Sequence, residues 1–286
     1  MSRNKNRTGA GLEPKRPDVS DPVIQNTNSL NFSTPTEHVD LPSRGRYYPE
    51  GYTLCNQDSI EIKYMTAKEE DILTSKNLLR KGLALERLLE NVIIDKTINP
   101  STLLVGDRNA ILVAIRCTGY GTEYESKIGC PACSNNVEYM FDLSELKINH
   151  AEAEDIQDLG AKVTGEGTFI ITLPVMKVDV EVRLMTGKDE KRLLQSQENK
   201  RKKKLPETLL TDQLIAIIVS VNGEEDRGVI TSLIDNMPAK DTRYLRKIYD
   251  QIVPNVEMTQ NFECSMCGYV ADLEVPLTTD FFWPKR

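Results

Sequence analysis

Four of the six cysteines occur as two Cys-x-x-Cys pairs, Cys130 with Cys133 and Cys264 with Cys267. Each pair follows a polar segment and precedes alternating, strand-like sequence. This is the pattern of a zinc knuckle, in which a tight turn lets two thiolates bind one tetrahedral ion. A closed structural site needs four ligands, so one pair supplies only half of it. We therefore expect the two pairs to share one structural Zn²⁺, although they are 134 residues apart in the sequence.

Two other uses of paired cysteines are considered. Redox-active dithiols usually lie where a strand enters a helix, whereas both pairs here are followed by strand-like sequence. Disulfides belong to oxidising compartments, and the first five residues lead into no hydrophobic segment that would predict a signal peptide. The remaining cysteines, Cys55 and Cys117, stand alone in apolar surroundings and are expected to be small buried side chains.

Composition and charge narrow the class of protein. At 286 residues the chain can form one large or two smaller domains. Its net charge of −7 argues against bulk nucleic-acid binding, which normally requires a basic excess. The longest mainly apolar run, residues 214–221, is far shorter than the roughly 20 residues that cross a membrane. We predict a soluble intracellular protein with no membrane segment.

The sequence offers little material for catalysis. His38 and His150 are the only histidines, one in a polar tail and one in a predicted linker. A nucleophile activated by histidine is therefore poorly supported. The glycine-rich phosphate-binding loop is also missing, and the acidic runs are typical of solvated faces. We predict no enzymatic activity and no small-molecule substrate.

The segments that must position the cysteines occur twice. Residues 60–73 are echoed by residues 180–193, and Thr66 and Thr186 each begin a capping box with an acidic residue three positions on. A strand, a capped helix, an apolar helix, a further helix and a knuckle follow in the same order in both halves. Asp107 lies 23 residues before Cys130, and Asp241 lies 23 residues before Cys264.

This repetition predicts the fold class. We expect an α+β protein built from an internally duplicated unit of β-hairpin, helices and a Cys-x-x-Cys knuckle with its strand. Two related units packed about a pseudo-twofold axis would bring equivalent turns face to face, which explains why each half carries half of a zinc site.

Four segments follow from this reading. Residues 1–38 are predicted to be a disordered N-terminal arm, 39–148 the first repeat, 149–166 a linker and 167–286 the second repeat. Within the first repeat, residues 52–54 and 59–65 are predicted to pair as the hairpin.

Two features stand outside the repeat. Phe281, Phe282 and Trp283 form an aromatic cluster near the end of the chain, for which two interpretations remain: burial in the core or contact with a partner. The basic run at residues 200–204 is interpreted as a solvated loop, with a phosphate contact as the alternative.

Three motifs carry a resemblance to a known family. They are Leu41-Pro42-Ser43-Arg44-Gly45 with two tyrosines after it, residues 62–75, and residues 104–111 followed by the Cys-Pro-x-Cys knuckle. Together they resemble the baseplate proteins of T-even-type contractile-tailed bacteriophages, in the group of the hub subunit and hub-assembly proteins. The resemblance covers residues 41–145 well and the second half more loosely.

The resemblance implies a function. It implies a non-enzymatic structural or assembly protein of the tail baseplate, whose partners are other baseplate and tail proteins. It places the protein in the host cytoplasm during assembly. The protein then either stays in the virion tail baseplate or is an assembly factor that leaves. The alternative is a zinc-knuckle regulator that binds nucleic acid, against which the acidic net charge counts.

Overall fold

The computed structural model of the protein describes residues 33–276 together with 281 and 282. Most of the predicted N-terminal arm, residues 1–32, lies outside the described residues. Its last part differs from the prediction, because a strand begins at Thr36. The strand therefore includes residues 36–38 of the segment that was expected to be disordered, and it leads into Val39, which is buried.

The described part of the first half begins with a strand pair, continues through four α-helices and a hairpin, and ends in a short strand. Its elements are β1 (Thr36–Asp40), β2 (Ser59–Lys63), α1 (Ala67–Thr74), α2 (Lys76–Arg80), α3 (Ala84–Val92), α4 (Val105–Tyr120), β3 (Glu123–Gly129), β4 (Asn136–Asp142) and β5 (Lys147–Asn149).

The second half adds a four-stranded antiparallel sheet, in the order β6-β7-β8-β9. Its elements are α5 (Ala153–Asp158), β6 (Ala161–Val163), β7 (Phe169–Thr172), β8 (Asp179–Val182), α6 (Gly187–Lys202), α7 (Leu209–Ile217), β9 (Ile218–Val221), α8 (Arg227–Asn236), α9 (Ala239–Ile252), β10 (Asn255–Glu257), β11 (Thr259–Glu263) and β12 (Val270–Glu274). The predicted mixture of helices and small sheets is therefore confirmed.

The predicted pairing of residues 52–54 with β2 is wrong. β2 pairs with β1 instead, and Val39 lies opposite Ile60 with both side chains buried. Residues 52–54 lie in a series of turns. The turn at Gly45 has a φ of 68°, and a Cβ there would lie 2.2 Å from the Leu54 carbonyl oxygen. This close approach folds the loop back on itself and leaves no extended strand.

The predicted linker, residues 149–166, is also structured. It contains α5 and β6, and β6 pairs with β7 through Ala161 and Ile171. Ile156 and Ala161 are both buried, so this segment contributes to the core.

Both predicted capping boxes are present and start α1 and α6. The Thr66 N–H donates to Glu69 at 2.9 Å, and Lys63 pairs with the same carboxylate at 2.8 Å. In the second half, the Thr186 N–H donates to Asp189 at 3.1 Å, and Arg183 pairs with that carboxylate at 2.8 Å. Each cap thus has its own buried carboxylate, and each carboxylate pairs with a cation from the preceding strand region.

The start of α4 contacts the start of α6. The Val105 N–H donates to the Met185 carbonyl at 3.0 Å, and the Gly187 N–H donates to the Leu103 carbonyl at 2.9 Å. Arg108 forms an ion pair with Glu190 at the same place. These bonds join the two halves of the sequence through their backbones. Among the described helices, none has the length and apolar character needed to cross a membrane.

Candidate metal centre

Each cysteine pair lies in the turn of a two-stranded hairpin, formed by β3 with β4 and by β11 with β12. The two hairpins have the same register: Gly129 lies opposite Asn136 in one, and Glu263 lies opposite Val270 in the other. Residues 134 apart are therefore equivalent throughout both hairpins.

The two turns also make the same backbone hydrogen bonds. In the first, the Cys130 N–H donates to Asn135 at 2.9 Å and the Ser134 N–H donates to the Cys130 carbonyl at 2.8 Å. In the second, the Cys264 N–H donates to Tyr269 at 2.9 Å and the Gly268 N–H donates to the Cys264 carbonyl at 2.8 Å. These hydrogen bonds wrap the backbone of each turn tightly around its first cysteine, so that both sulfurs of a pair can face one metal ion.

The four predicted sulfur ligands lie together. The Sγ atoms of Cys130 and Cys267 are 3.8 Å apart, those of Cys133 and Cys264 are 3.9 Å apart, and all four lie within 4.8 Å of one another. In a tetrahedral site with metal–sulfur bonds of about 2.3 Å, neighbouring sulfurs are about 3.8 Å apart. A disulfide would require about 2.05 Å. The spacing fits a shared metal ion and does not fit disulfides.

Without a cation, Cys130 and Cys267 differ widely in pKa. A hydrogen bond from the Cys133 N–H lowers the pKa of Cys130 to about 7, against the opposing effect of desolvation. The Tyr269 N–H acts in the same direction on Cys267, but desolvation and the other three sulfurs outweigh it and raise the pKa of that thiol to about 12. A divalent cation would remove this conflict, because it stabilises every thiolate that it binds.

Apolar side chains lie beneath the sulfurs. Cys130 and Cys264 are buried against Val137 and Phe262. The Tyr139 ring meets the Phe262 ring edge-on at 5.1 Å, and its hydroxyl donates to the Asn261 carbonyl at 2.7 Å. The two hairpins thus contact each other directly as well as through the sulfurs. Four thiolates fill a tetrahedral ion, so this geometry favours a structural site over a catalytic one.

The lone cysteines differ slightly from expectation. Cys55 and Cys117 are only partly buried. Burial raises the pKa of the Cys117 thiol, which makes it less reactive than an exposed cysteine.

Two buried aspartates support the helices that precede the cysteine hairpins, and their role was missed from the sequence. Asp107 accepts hydrogen bonds from the Ser43 N–H at 2.9 Å and the Tyr48 hydroxyl at 2.8 Å. Asp241 accepts from the N–H groups of Val175 at 2.8 Å and Met176 at 2.9 Å. Burial raises the pKa of Asp107. The signal was the Leu-Pro dipeptide that precedes each loop, at residues 41–42 and 173–174.

The two described residues of the aromatic cluster near the end of the chain pack inside the protein. Phe281 and Phe282 are buried, and the Phe281 ring meets the Tyr124 ring at 5.2 Å. The guanidinium of Arg116 lies 6.0 Å from the Phe281 ring. Arg116 is itself buried and donates to the carbonyl of Glu123 at 2.9 Å, so it links α4, β3 and the terminal segment. Trp283 lies outside the described residues.

Comparison with known proteins gives a family match. The family model described as T4 bacteriophage base plate protein matches residues 35–171. The matched segment runs from β1 to β7 and contains the first cysteine pair, whereas the second pair lies beyond it. No curated protein and no solved structure matches the chain.

Proposed function

We propose that this chain, whose residues 35–171 match the family model described as T4 bacteriophage base plate protein, is a non-enzymatic structural or assembly protein of the baseplate hub. The family match is the observation that carries the proposal. Its partners are other baseplate and tail proteins. The protein acts in the host cytoplasm while tails are built, with the virion tail as its final location if it is retained.

A deletion in the phage that encodes the chain tests this role. Cells infected with the deleted phage should accumulate unassembled tail proteins in place of infectious particles, and the wild-type chain supplied in trans should restore them. Mass spectrometry of purified tails then distinguishes a retained subunit from a factor that leaves. Normal tails in the absence of the chain would refute the proposed function.

Within this role we propose that Cys130, Cys133, Cys264 and Cys267 hold one structural Zn²⁺. The sulfur spacing and the raised pKa of Cys267 beside the other three sulfurs support this assignment. Such sites contribute on the order of 10 kcal/mol in small zinc modules. Because one hairpin comes from each half of the sequence, the ion would fix the two halves against each other.

We further propose that the halves are copies of one duplicated unit arranged about a pseudo-twofold axis. Three relationships support it: the matching registers of the cysteine hairpins, the matching caps with their cations, and the two buried aspartates. The strand pairs add a fourth, since Ile62 bridges to Ile93 just after α3, and Val182 pairs with Ile218 just after α7. A rigid, two-part scaffold of this kind suits a protein that holds neighbours at fixed positions.

A further inference from the structure

The two cysteine turns can be compared position by position, and they differ in the side chains that they expose to solvent. The second turn exposes Met266, Tyr269 and Val270, with exposed fractions of 68%, 39% and 54%. The equivalent residues of the first turn are small or polar: Ala132, Asn135 and Asn136. Since the first turn makes the same backbone hydrogen bonds without large apolar side chains, the turn itself does not require them.

Carboxylates surround these apolar side chains. Glu263, Asp272 and Glu274 are all exposed and lie on the same face of the β11–β12 hairpin as Val270, by the period of two along each strand. Among the residues that the structure describes, no ion pair involves any of the three. We call these six residues the knuckle patch (Glu263, Met266, Tyr269, Val270, Asp272 and Glu274).

A second exposed apolar cluster has the opposite charge. At the end of α6 and the start of α7, Leu205, Leu209 and Leu210 have exposed fractions of 52%, 45% and 38%. They adjoin four exposed basic residues at positions 201–204, and Glu207 is the one carboxylate between residues 201 and 210. We call residues 201–210 the leucine corner. Its first part precedes α7, and the stretch from the start of α6 to the start of α7 is longer than that from the start of α1 to the start of α3 in the first half, so the repeated unit does not need that part.

We propose that the knuckle patch of one copy of this protein binds the leucine corner of a second copy. Each surface leaves large apolar side chains in water, a cost that their mutual burial would remove. Their charges are opposite, which favours this pairing and opposes contact between two like patches. Each copy carries both surfaces, so the contact joins different surfaces and can continue from copy to copy. This self-assembly goes beyond the proposed baseplate role and does not depend on it.

Analytical ultracentrifugation of the full-length, metal-loaded protein tests the contact. The average mass should rise with protein concentration at low salt, and high salt should reduce it because exposed charges are screened. The paired substitutions Glu263→Lys with Asp272→Lys should lower the association constant by about tenfold or more. Lys203→Glu with Lys204→Glu should do the same. The control pair Glu123→Lys with Glu125→Lys, on the exposed face of the first hairpin, should leave association unchanged.

Mixing the two charge-reversed proteins is the sharpest test. Each fails to associate with itself. In the mixture, however, the unchanged leucine corner of the first variant fits the unchanged knuckle patch of the second, and the basic knuckle patch of the first fits the acidic leucine corner of the second. The mixture should therefore associate again. A protein that stays monomeric at every concentration overturns the proposal, as does association that neither reversal weakens. Monomeric protein that binds duplex DNA through residues 201–204 would instead identify the corner as a nucleic-acid surface.

Discussion

Asp107 and Asp241 occupy the same place in the two halves of the protein. Each is the third residue of a helix that leads to a cysteine hairpin, and each is fully buried. Each accepts hydrogen bonds from the backbone just after a Leu-Pro dipeptide, at Ser43 in the first half and at Val175 in the second. The carboxylates also lie at helix N-termini, where the helix dipole favours a negative charge. They therefore fix each loop to the helix behind it.

Replacement of either aspartate by alanine should be destabilising. Asp107→Ala removes the acceptor of the Ser43 N–H and the Tyr48 hydroxyl, and Asp241→Ala removes the acceptor of two N–H groups, at a cost of about 1–3 kcal/mol per unsatisfied group. Urea unfolding should show losses of similar size for the two variants. The exposed Asp235→Ala is the matched control and should change little. A large loss for one aspartate and none for the other would contradict their equivalence.

The residue after each second cysteine provides a test of backbone strain. Ser134 has a φ of 59° and Gly268 has a φ of 69°, both in the left-handed region that glycine tolerates best. Gly268→Ala should cost about 1–2 kcal/mol, since that conformation is unfavourable with a Cβ. Nothing lies within 4 Å of the added Cβ, so the cost would come from the backbone alone. Ser134→Gly should be neutral or stabilising in the same thermal melts, and a clear loss there would refute the strain argument.

Acid should weaken both helix caps. Burial alone would raise the pKa of Glu69, but Lys63 and Thr66 hold it at about 2, and Arg183 and Thr186 likewise hold the pKa of Asp189 at about 2. A carboxylate whose pKa is lower in the folded protein stabilises the fold above its unfolded pKa and loses that effect as pH falls towards the folded value. The free energy of unfolding should therefore decrease as the pH falls from the ordinary pKa values of 4.5 for Glu69 and 3.8 for Asp189 down to about pH 2.

The variants Glu69→Gln and Asp189→Asn provide the comparison for this pH effect. Each should be less stable than the wild type at neutral pH and should show a shallower decrease in urea stability on acidification. A wild-type slope that both variants retain would assign the acid sensitivity to other carboxylates.

The sequence predicted the parts of the protein that depend on short spacings. Two cysteines three residues apart, and a threonine followed three residues later by an acid, each specify a local geometry, and both motifs occur twice. The partner of β2 could not be found in this way, because β1 is separated from it by a folded loop and has a single buried side chain, Val39. α5 and β6 were missed because each contributes a single deeply buried residue. Nothing in the sequence around Arg116 distinguishes a buried arginine from an exposed one.

Phe281 distinguishes the two interpretations of the aromatic cluster. Its ring is buried against Tyr124 and Arg116, so Phe281→Ala should cost about 3–5 kcal/mol, as is usual for a large aromatic removed from a core. Thermal unfolding of the purified variant measures this directly. A variant that melts like the wild type but fails to join other tail proteins would make the residue a partner contact instead.

The shared metal site is the central claim, and metal analysis of the purified full-length protein tests it most directly. We predict one Zn²⁺ per chain, lost in Cys130→Ser and in Cys264→Ser alike and retained in the control Cys55→Ser. Chelation should lower the melting temperature of the wild type and have little effect on the two zinc-free variants. A chain without zinc, a chain with two zinc ions, or a Cys264→Ser variant that keeps its metal would contradict a site built jointly by the two hairpins.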